Sequence, residues 1–94
     1  MRITKHDRIA KYIAAKKGTE YHSDKGIDVR TTSQAIEVEV DANTLKEGVR
    51  QLQGTKKPRY LAVPNELVKE AREYTKGTGV GVMNEKGKIK KRAS

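Results

Sequence analysis

The sequence contains no cysteine, no tryptophan and no phenylalanine, and its aromatic residues are four tyrosines. Without cysteine, the chain forms no disulfide and carries out no thiolate chemistry. A zinc site would have only two histidines and carboxylates as ligands, which is a poor set for that metal. These absences exclude cysteine catalysis and argue against a zinc site.

Long apolar runs are also missing, and no stretch has the features of a signal peptide. Hydrophobic residues make up 34% of the chain, enough for a modest core. Their strong periodicity favours a folded chain over a disordered one. The length of 94 residues predicts a single domain over residues 1–94. We therefore expect a soluble, cytoplasmic protein that does not associate with membranes.

Acidic residues are scarce, with 12 Asp and Glu against 21 Lys and Arg, which gives a formal net charge of +9. Five of the acids lie between residues 24 and 41, together with only two basic residues. The basic excess predicts a polyanionic partner such as nucleic acid. An acidic island in a basic protein fits a metal site that acts on a polyanion. The alternative is a solvated strand face whose acids pair with nearby Lys and Arg.

The acidic stretch alternates apolar and polar residues with a period of two on both sides of a short polar turn. This pattern is typical of two half-buried strands. If the turn has two residues, Asp28 lies directly opposite Glu37, and Glu39 lies beside Glu37 on the same face. Cross-strand partners are about 5 Å apart at Cβ, where like charges are destabilising. A divalent cation is the simplest way to offset this repulsion, because hard cations bind several carboxylate oxygens.

Hydrophobic periodicity predicts the remaining elements. Helices are expected over 4–17, 43–53 and 66–75, and further strands over 19–23, 59–63, 78–83 and 88–92. The predicted order is αβββαβαββ. The simplest architecture for it is an α/β (α+β) fold with one mixed sheet and helices packed on its faces.

Several positions in the predicted helices carry further information. Thr4 as N-cap and Asp7 at the third helical position form an acidic variant of the capping box. Asn43 or Thr44 is expected to cap the second helix. Gly48 in the middle of that helix costs about 1 kcal/mol relative to Ala. Its presence suggests a close approach to the sheet or to a substrate.

The order of elements, the spacing from Asp28 to Glu37-x-Glu39, the helix over 45–52 and the closing segment 79–82 resemble the PD-(D/E)xK nuclease superfamily. That superfamily includes type II restriction enzymes, archaeal Holliday junction resolvases and RecB-type nuclease domains. The resemblance covers about residues 5–92. It implies a restriction endonuclease-like fold and hydrolysis of DNA phosphodiester bonds with Mg²⁺ (or Mn²⁺).

The same resemblance implies roles for individual residues. Asp28 and Glu37 match the two acids that bind the metal. Gln51 resembles the glutamine of the RecB-type motif, which helps to position the site, although an ordinary exposed helical glutamine is the alternative. Asp7 is similar in place to an acid of the first helix in resolvases, but its capping role explains it equally well.

Glu39 completes the candidate catalytic set of Asp28, Glu37, Glu39 and Gln51, and it departs from the family pattern. Its position usually holds a lysine that orients or activates the attacking water. A glutamate there resembles a minority variant among restriction enzymes, in which it acts as a base or as a ligand of a second metal. Lys25 and Lys46 are alternatives for the missing lysine.

Basic residues outside the acidic stretch are expected to contact the DNA backbone, with an affinity that falls steeply with salt. The candidates for DNA contacts are Lys5, Lys25, Lys56, Lys57, Lys90 and Lys91. A chain of this length leaves little room for a sequence-reading domain. We therefore expect structure-directed cutting, or a homodimer as in resolvases.

Two other functions also fit the sequence. The first is a catalytically inactive domain of the same fold that binds nucleic acid as an accessory subunit, which the departure at Glu39 and the small size favour. The second is an unrelated small α+β nucleic-acid-binding protein whose acids are structural. The alternating acids count against the second, because a pure DNA binder gains nothing from carboxylates beside phosphates.

Overall fold

The computed structural model describes residues 4–21 and 27–94. These residues form three α-helices and five β-strands. The helices are α1 (Lys5–Lys16), α2 (Leu45–Leu52) and α3 (Val68–Tyr74), and the strands are β1 (Val29–Arg30), β2 (Ala35–Val38), β3 (Arg59–Val63), β4 (Gly81–Asn84) and β5 (Ile89–Lys91). Within this part of the chain, none of the helices combines the length and the apolar character that a membrane crossing requires.

The strands form one sheet, in the order β1-β2-β3-β4-β5. The outer pairs are antiparallel and the two inner pairs are parallel, which confirms the predicted mixed sheet of an α/β (α+β) protein. Of the strand predicted over 19–23, the described residues contain a single bridge between Tyr21 and Val29. Residues 22–26 lie outside the described part. The described elements therefore run αββαβαββ, one strand fewer than the predicted order αβββαβαββ.

The core has two parts, one on each face of the sheet. On one face, α1 packs its buried residues against the sheet; this cluster contains Ile9, Ala10, Ile13, Ala14, Val29, Ile36, Val38, Tyr60, Ala62 and Met83. On the other face, α2 and α3 pack against Ala35, Leu61, Val63, Val80 and Val82. Because side chains alternate along a strand, Glu37 points to the α2 side of β2, between two residues that point to α1.

The hairpin of β1 and β2 has the predicted register. Arg30 pairs with Ala35, and the Thr31 N–H donates a 2.9 Å hydrogen bond to the carbonyl of the residue that closes the two-residue turn. The Thr31 hydroxyl accepts two further backbone N–H groups from within the turn. This side chain takes the place of the Asn-Gly or Asp-Gly sequence that usually marks such turns. The register brings Asp28 opposite Glu37.

The caps of the first two helices differ in how well the sequence predicts them. The Thr4 hydroxyl accepts the Asp7 N–H at 3.1 Å, as predicted. Thr44, one of the two predicted residues, occupies the N-cap position of α2, but its side chain makes no capping hydrogen bond. Instead Asp41 accepts the Asn43 N–H at 2.8 Å and caps a short 3₁₀ turn, Ala42–Thr44, that leads into α2. Asp41 therefore serves the helix and does not continue the strand.

Candidate functional site

Two buried carboxylates, those of Asp28 and Glu37, hold the beginning of β1 against β2. The Asp28 N–H donates to Oε1 of Glu37 at 3.0 Å, and the Val38 N–H donates to Oδ2 of Asp28 at 2.9 Å. Asp28 and Glu37 are each 7% exposed. The alternative of a solvated strand face therefore does not apply to them.

Glu39 joins this pair from the end of β2. Its N–H donates to the Ala62 carbonyl at 3.0 Å, which fixes its backbone beside β3. Its half-buried side chain lies under α2, where a Cβ added at Gly48 would come within 2.7 Å of the Glu39 Cγ and 2.6 Å of the Leu61 Cδ2. Gly48 thus allows α2 to approach the sheet closely and to cover Glu39. This confirms the first of the two reasons that the sequence suggested for a mid-helix glycine.

We expect Gly48→Ala to destabilise the protein although alanine is the better helix former. The helix gains about 1 kcal/mol from alanine, but overpacking of this kind costs about 1–3 kcal/mol. Thermal unfolding should show a net loss, together with a chemical-shift change at Glu39. Gly54→Ala is the matched control, because a Cβ there would meet open space. An equal or greater stability for Gly48→Ala would contradict the close packing.

The carboxylates of this site repel one another in a poorly solvated place. Burial, and next the charge of Asp28, raise the pKa of Glu37 to about 8. Burial also raises the pKa of Glu39, with Asp28 and Glu47 adding to the shift and Thr44 and His6 opposing it. Glu37 is therefore largely protonated near neutral pH unless a cation is close by, and burial disfavours the charged form of Glu39.

His6 of α1 provides one such cation. Its Nε2 lies 3.1 Å from Oδ2 of Asp28, and this hydrogen bond is the main reason why the pKa of His6 is raised to about 9. Burial opposes the shift, and the charges of Asp28, Glu39 and Asp7 add to it. His6 is therefore an imidazolium at neutral pH, and both of its ring nitrogens are donors.

The second ring nitrogen of His6 begins a chain of hydrogen bonds. Its Nδ1 lies 3.2 Å from the Tyr21 hydroxyl, and that hydroxyl donates to Oδ1 of Asp7 at 2.7 Å. The bond from Tyr21 lowers the pKa of Asp7, whereas burial raises that of Tyr21 above its usual range. Asp7 thus fixes the Tyr21 hydroxyl, which in turn contacts His6, so Asp7 is linked to Asp28 through two intermediate side chains.

His6 and Tyr21 were not predicted to belong to this site. A signal for His6 is present, because it lies three, four and seven residues before Ile9, Ala10 and Ile13, the buried residues of α1. This spacing continues the inward face of the helix by one turn. A histidine on the inward face of a helix, in a chain with an acidic hairpin, therefore indicates a contact with the buried acids. Tyr21 has no comparable signal.

Gln51 lies apart from this group of residues. It is exposed at the end of α2 and lines a separate cleft with Ile27, Arg30 and Lys57. Ile27 precedes Asp28 in the chain, so the cleft is adjacent to the carboxylates without containing them. The structure therefore brings Asp28, Glu37 and Glu39 together, but not Gln51.

The basic residues predicted to contact DNA have different surroundings. Lys5 pairs with Glu66 at 3.0 Å, and the ammonium group of Lys57 donates to the carbonyl of Thr31 at 2.7 Å. Lys56 and Lys90 are exposed. The ammonium group of Lys91 donates to Thr75 and to the Val80 carbonyl. Lys25 lies outside the described residues.

The donor set suits Mg²⁺ better than a metal that needs a closed protein cage. In residues 4–21 and 27–94, no group of three or more His, Asp or Glu residues is arranged around a common metal position. Mg²⁺ needs only one or two carboxylates, because it keeps several waters and binds substrate oxygens. No side-chain oxygen in these residues is both buried and without a hydrogen bond.

Comparison with known proteins gives no match to a protein-family model, to a curated protein or to a solved structure.

Proposed function

We propose that this chain is a Mg²⁺-dependent (or Mn²⁺-dependent) endonuclease that hydrolyses DNA phosphodiester bonds at Asp28 and Glu37. The observation that carries this proposal is the burial of these two carboxylates side by side in a protein of net charge +9. Their repulsion is destabilising for the fold, so their position is better explained by a cation and a polyanionic substrate than by stability.

The fold is compatible with this proposal. A mixed sheet with α1 on one face and α2 and α3 on the other is what a restriction endonuclease-like domain would present, with the acids on adjacent strands. We extend the proposal to structure-directed cutting or to action as a homodimer, as in the resolvases that the sequence resembles.

Each residue of the site has a distinct part in the proposed reaction. The carboxylates of Asp28 and Glu37 would hold the metal, and His6 would fix the orientation of the Asp28 carboxylate through Oδ2. A bound Mg²⁺ supplies Lewis-acid polarisation of the phosphate and lowers the pKa of a bound water. Glu39, whose pKa is raised by burial, would accept the proton of the attacking water.

The test is a cleavage assay on branched, single-stranded and linear duplex DNA. We expect cleavage with Mg²⁺ or Mn²⁺, and none with EDTA. Asp28→Asn should lose this activity, because it removes the negative charge of a metal ligand and keeps the shape of the side chain. Glu20→Gln, which removes an exposed acid, is the matched control and should remain active. Absence of cleavage with every substrate and metal would refute the proposal.

A catalytically inactive domain that binds nucleic acid is the second candidate function. One observation favours it specifically: the His6 imidazolium already compensates the charge of Asp28. In this case the protein binds DNA equally well in Mg²⁺ and EDTA, cleaves none of it, and Asp28→Asn leaves the affinity unchanged.

A further inference from the structure

A second charged feature lies at the opposite edge of the sheet, between α3 and β5. A cleft of about 410 Å³ is lined by Lys69, Arg72, Glu73, Lys76 and Lys91, and we call it the α3–β5 cleft. Four of its five lining residues are cationic. Of the six lysines predicted to contact DNA, Lys91 is the one that lines this cleft; the other three cations are newly identified.

The fold holds Lys91 against the other cations. Its ammonium group donates to the Thr75 hydroxyl at 2.8 Å and to the Val80 carbonyl at 3.2 Å, so it is fixed at the base of the cleft. Burial, and next the charges of Lys76 and Arg72, lower the pKa of Lys91. The two hydrogen bonds thus hold this ammonium group beside like charges, where a bound anion would be stabilised.

The acid of the cleft does not supply this anion. The ion pairs within the described ranges are those of His6, the pair of Lys5 with Glu66 and the pair of Glu47 with Arg50, so none of them involves Glu73. Glu73 also lies on the exposed surface of α3, where solvent screens its charge. The net charge of the cleft therefore remains strongly positive.

We propose that the α3–β5 cleft binds phosphate groups of a nucleic-acid backbone, a proposal that rests on the proposed function for the identity of the polyanion. One phosphate, or two consecutive ones, can bind among four cationic groups. These are the Lys69 ammonium and the Arg72 guanidinium on α3, the Lys76 ammonium after the helix and the Lys91 ammonium at the base of the cleft. Lys69, Arg72 and Lys76 are exposed, so the cleft is open to solvent and accessible to a polymer.

The sheet sets the distance from this cleft to the carboxylates. The acids belong to β1 and β2, and the cleft borders β5, three strands from β2. At about 4.8 Å per strand this separation is roughly 15 Å. Duplex DNA rises about 3.4 Å per base pair, so the two sites would contact the backbone about four base pairs apart. The α3–β5 cleft would thus hold the flank of the substrate while the cut is made at Asp28 and Glu37.

The experiment compares two double variants by fluorescence anisotropy with a 20-base-pair duplex in EDTA, where no cleavage occurs. Arg72→Gln/Lys76→Gln removes two charges from the cleft. Arg8→Gln/Lys11→Gln removes the same two residue types from the exposed side of α1, on the other face of the sheet. We expect the cleft variant to bind roughly 10- to 100-fold more weakly at 0.1 M salt. Its plot of log K against log salt should be less steep by about 1.8, because each phosphate contact contributes about 0.9.

The inference would be overturned by a wild-type protein that does not bind the duplex, by an equal loss in the α1 control, or by an unchanged salt slope in the cleft variant. Rescue of affinity by Arg72→Lys/Lys76→Arg would support it, since that variant keeps both charges. Competition by inorganic phosphate at concentrations below those of the added salt would show that the cleft takes a free anion and would also overturn it. If the wild type cleaves no DNA but the cleft variant binds DNA more weakly, only the proposed hydrolysis is refuted. If the wild type cleaves DNA and the cleft variant binds it as tightly as the wild type does, only this inference is refuted.

Discussion

Replacing Glu37 by glutamine should abolish DNA cleavage and stabilise the metal-free protein at pH 8. The loss of activity follows from the loss of a metal ligand. Metal ions contribute several kcal/mol of charge stabilisation in such reactions, and each 1.36 kcal/mol corresponds to a factor of ten, so we expect a decrease of about 1,000-fold or more.

The gain in stability follows from the pKa of Glu37, which is raised to about 8. A raised carboxyl pKa gives stability that is complete below the ordinary value near 4.5 and is lost as the pH rises through 8. Glutamine does not titrate, and its Oε1 can still accept the Asp28 N–H. At about 1.4 kcal/mol per pKa unit, the variant should exceed the wild type by a few kcal/mol at pH 8 and by little at pH 4.5.

The cleavage assay measures the loss of activity, and urea unfolding at pH 4.5 and pH 8, with EDTA or with 10-fold steps of Mg²⁺, measures the change in stability. Mg²⁺ should stabilise the wild type at pH 8 by binding the folded state, and should leave Glu37→Gln unchanged. Glu70→Gln, at an exposed position on α3, is the control for removal of a negative charge. A variant that is less stable than the wild type at pH 8 would mean that Glu37 is a structural residue.

Removing the imidazole of His6 should destabilise the protein in acidic and neutral solution. The pKa of His6 is raised to about 9, so the stability that it contributes is complete below pH 6.5 and is lost as the pH rises through 9. The shift corresponds to roughly 2–3 kcal/mol once solvent screening of the 31% exposed side chain is considered. His6→Ala leaves the buried Asp28 carboxylate without a counter-charge.

The measurement is a series of urea unfolding curves from pH 5 to pH 9.5 for His6→Ala and for Lys5→Ala. The neighbouring Lys5 pairs with Glu66 on the surface, so its loss should cost less than 1 kcal/mol. The His6→Ala curves should approach those of the wild type above pH 9. In the Asp28→Asn background the His6→Ala deficit should be much smaller. A deficit of equal size in both backgrounds would show that His6 acts through packing alone.

Local sequence patterns predicted much of the fold. The strand Arg59–Val63 and the hairpin register follow from apolar periodicity and a two-residue turn, both of which depend on neighbours in the chain. The capping of α2 was predictable only in part. Thr44 occupies the N-cap position as expected, but its side chain makes no capping hydrogen bond, and Asp41 caps the 3₁₀ turn that precedes the helix.

The candidate site likewise contains one contact that the sequence predicts and others that it does not. The approach of Asp28 to Glu37 follows from strand register, which sequence reveals. The contact of His6 with Asp28 spans 22 residues and depends on how α1 crosses the sheet, which no local pattern encodes. The position of Gln51 likewise depends on how α2 is rotated on the sheet. The spacing of the apolar residues in this helix does not by itself specify that rotation.

The order of the strands has a consequence for how the protein acquires its structure. Each strand is hydrogen-bonded to the strand that precedes or follows it in the chain. The two antiparallel hairpins close over short turns, whereas each parallel pair forms only after the crossover that contains α2 or α3, so the hairpins are expected to form first. During synthesis the sheet can grow by one strand or one strand–helix unit at a time, from the acidic hairpin outwards, as the chain leaves the ribosome.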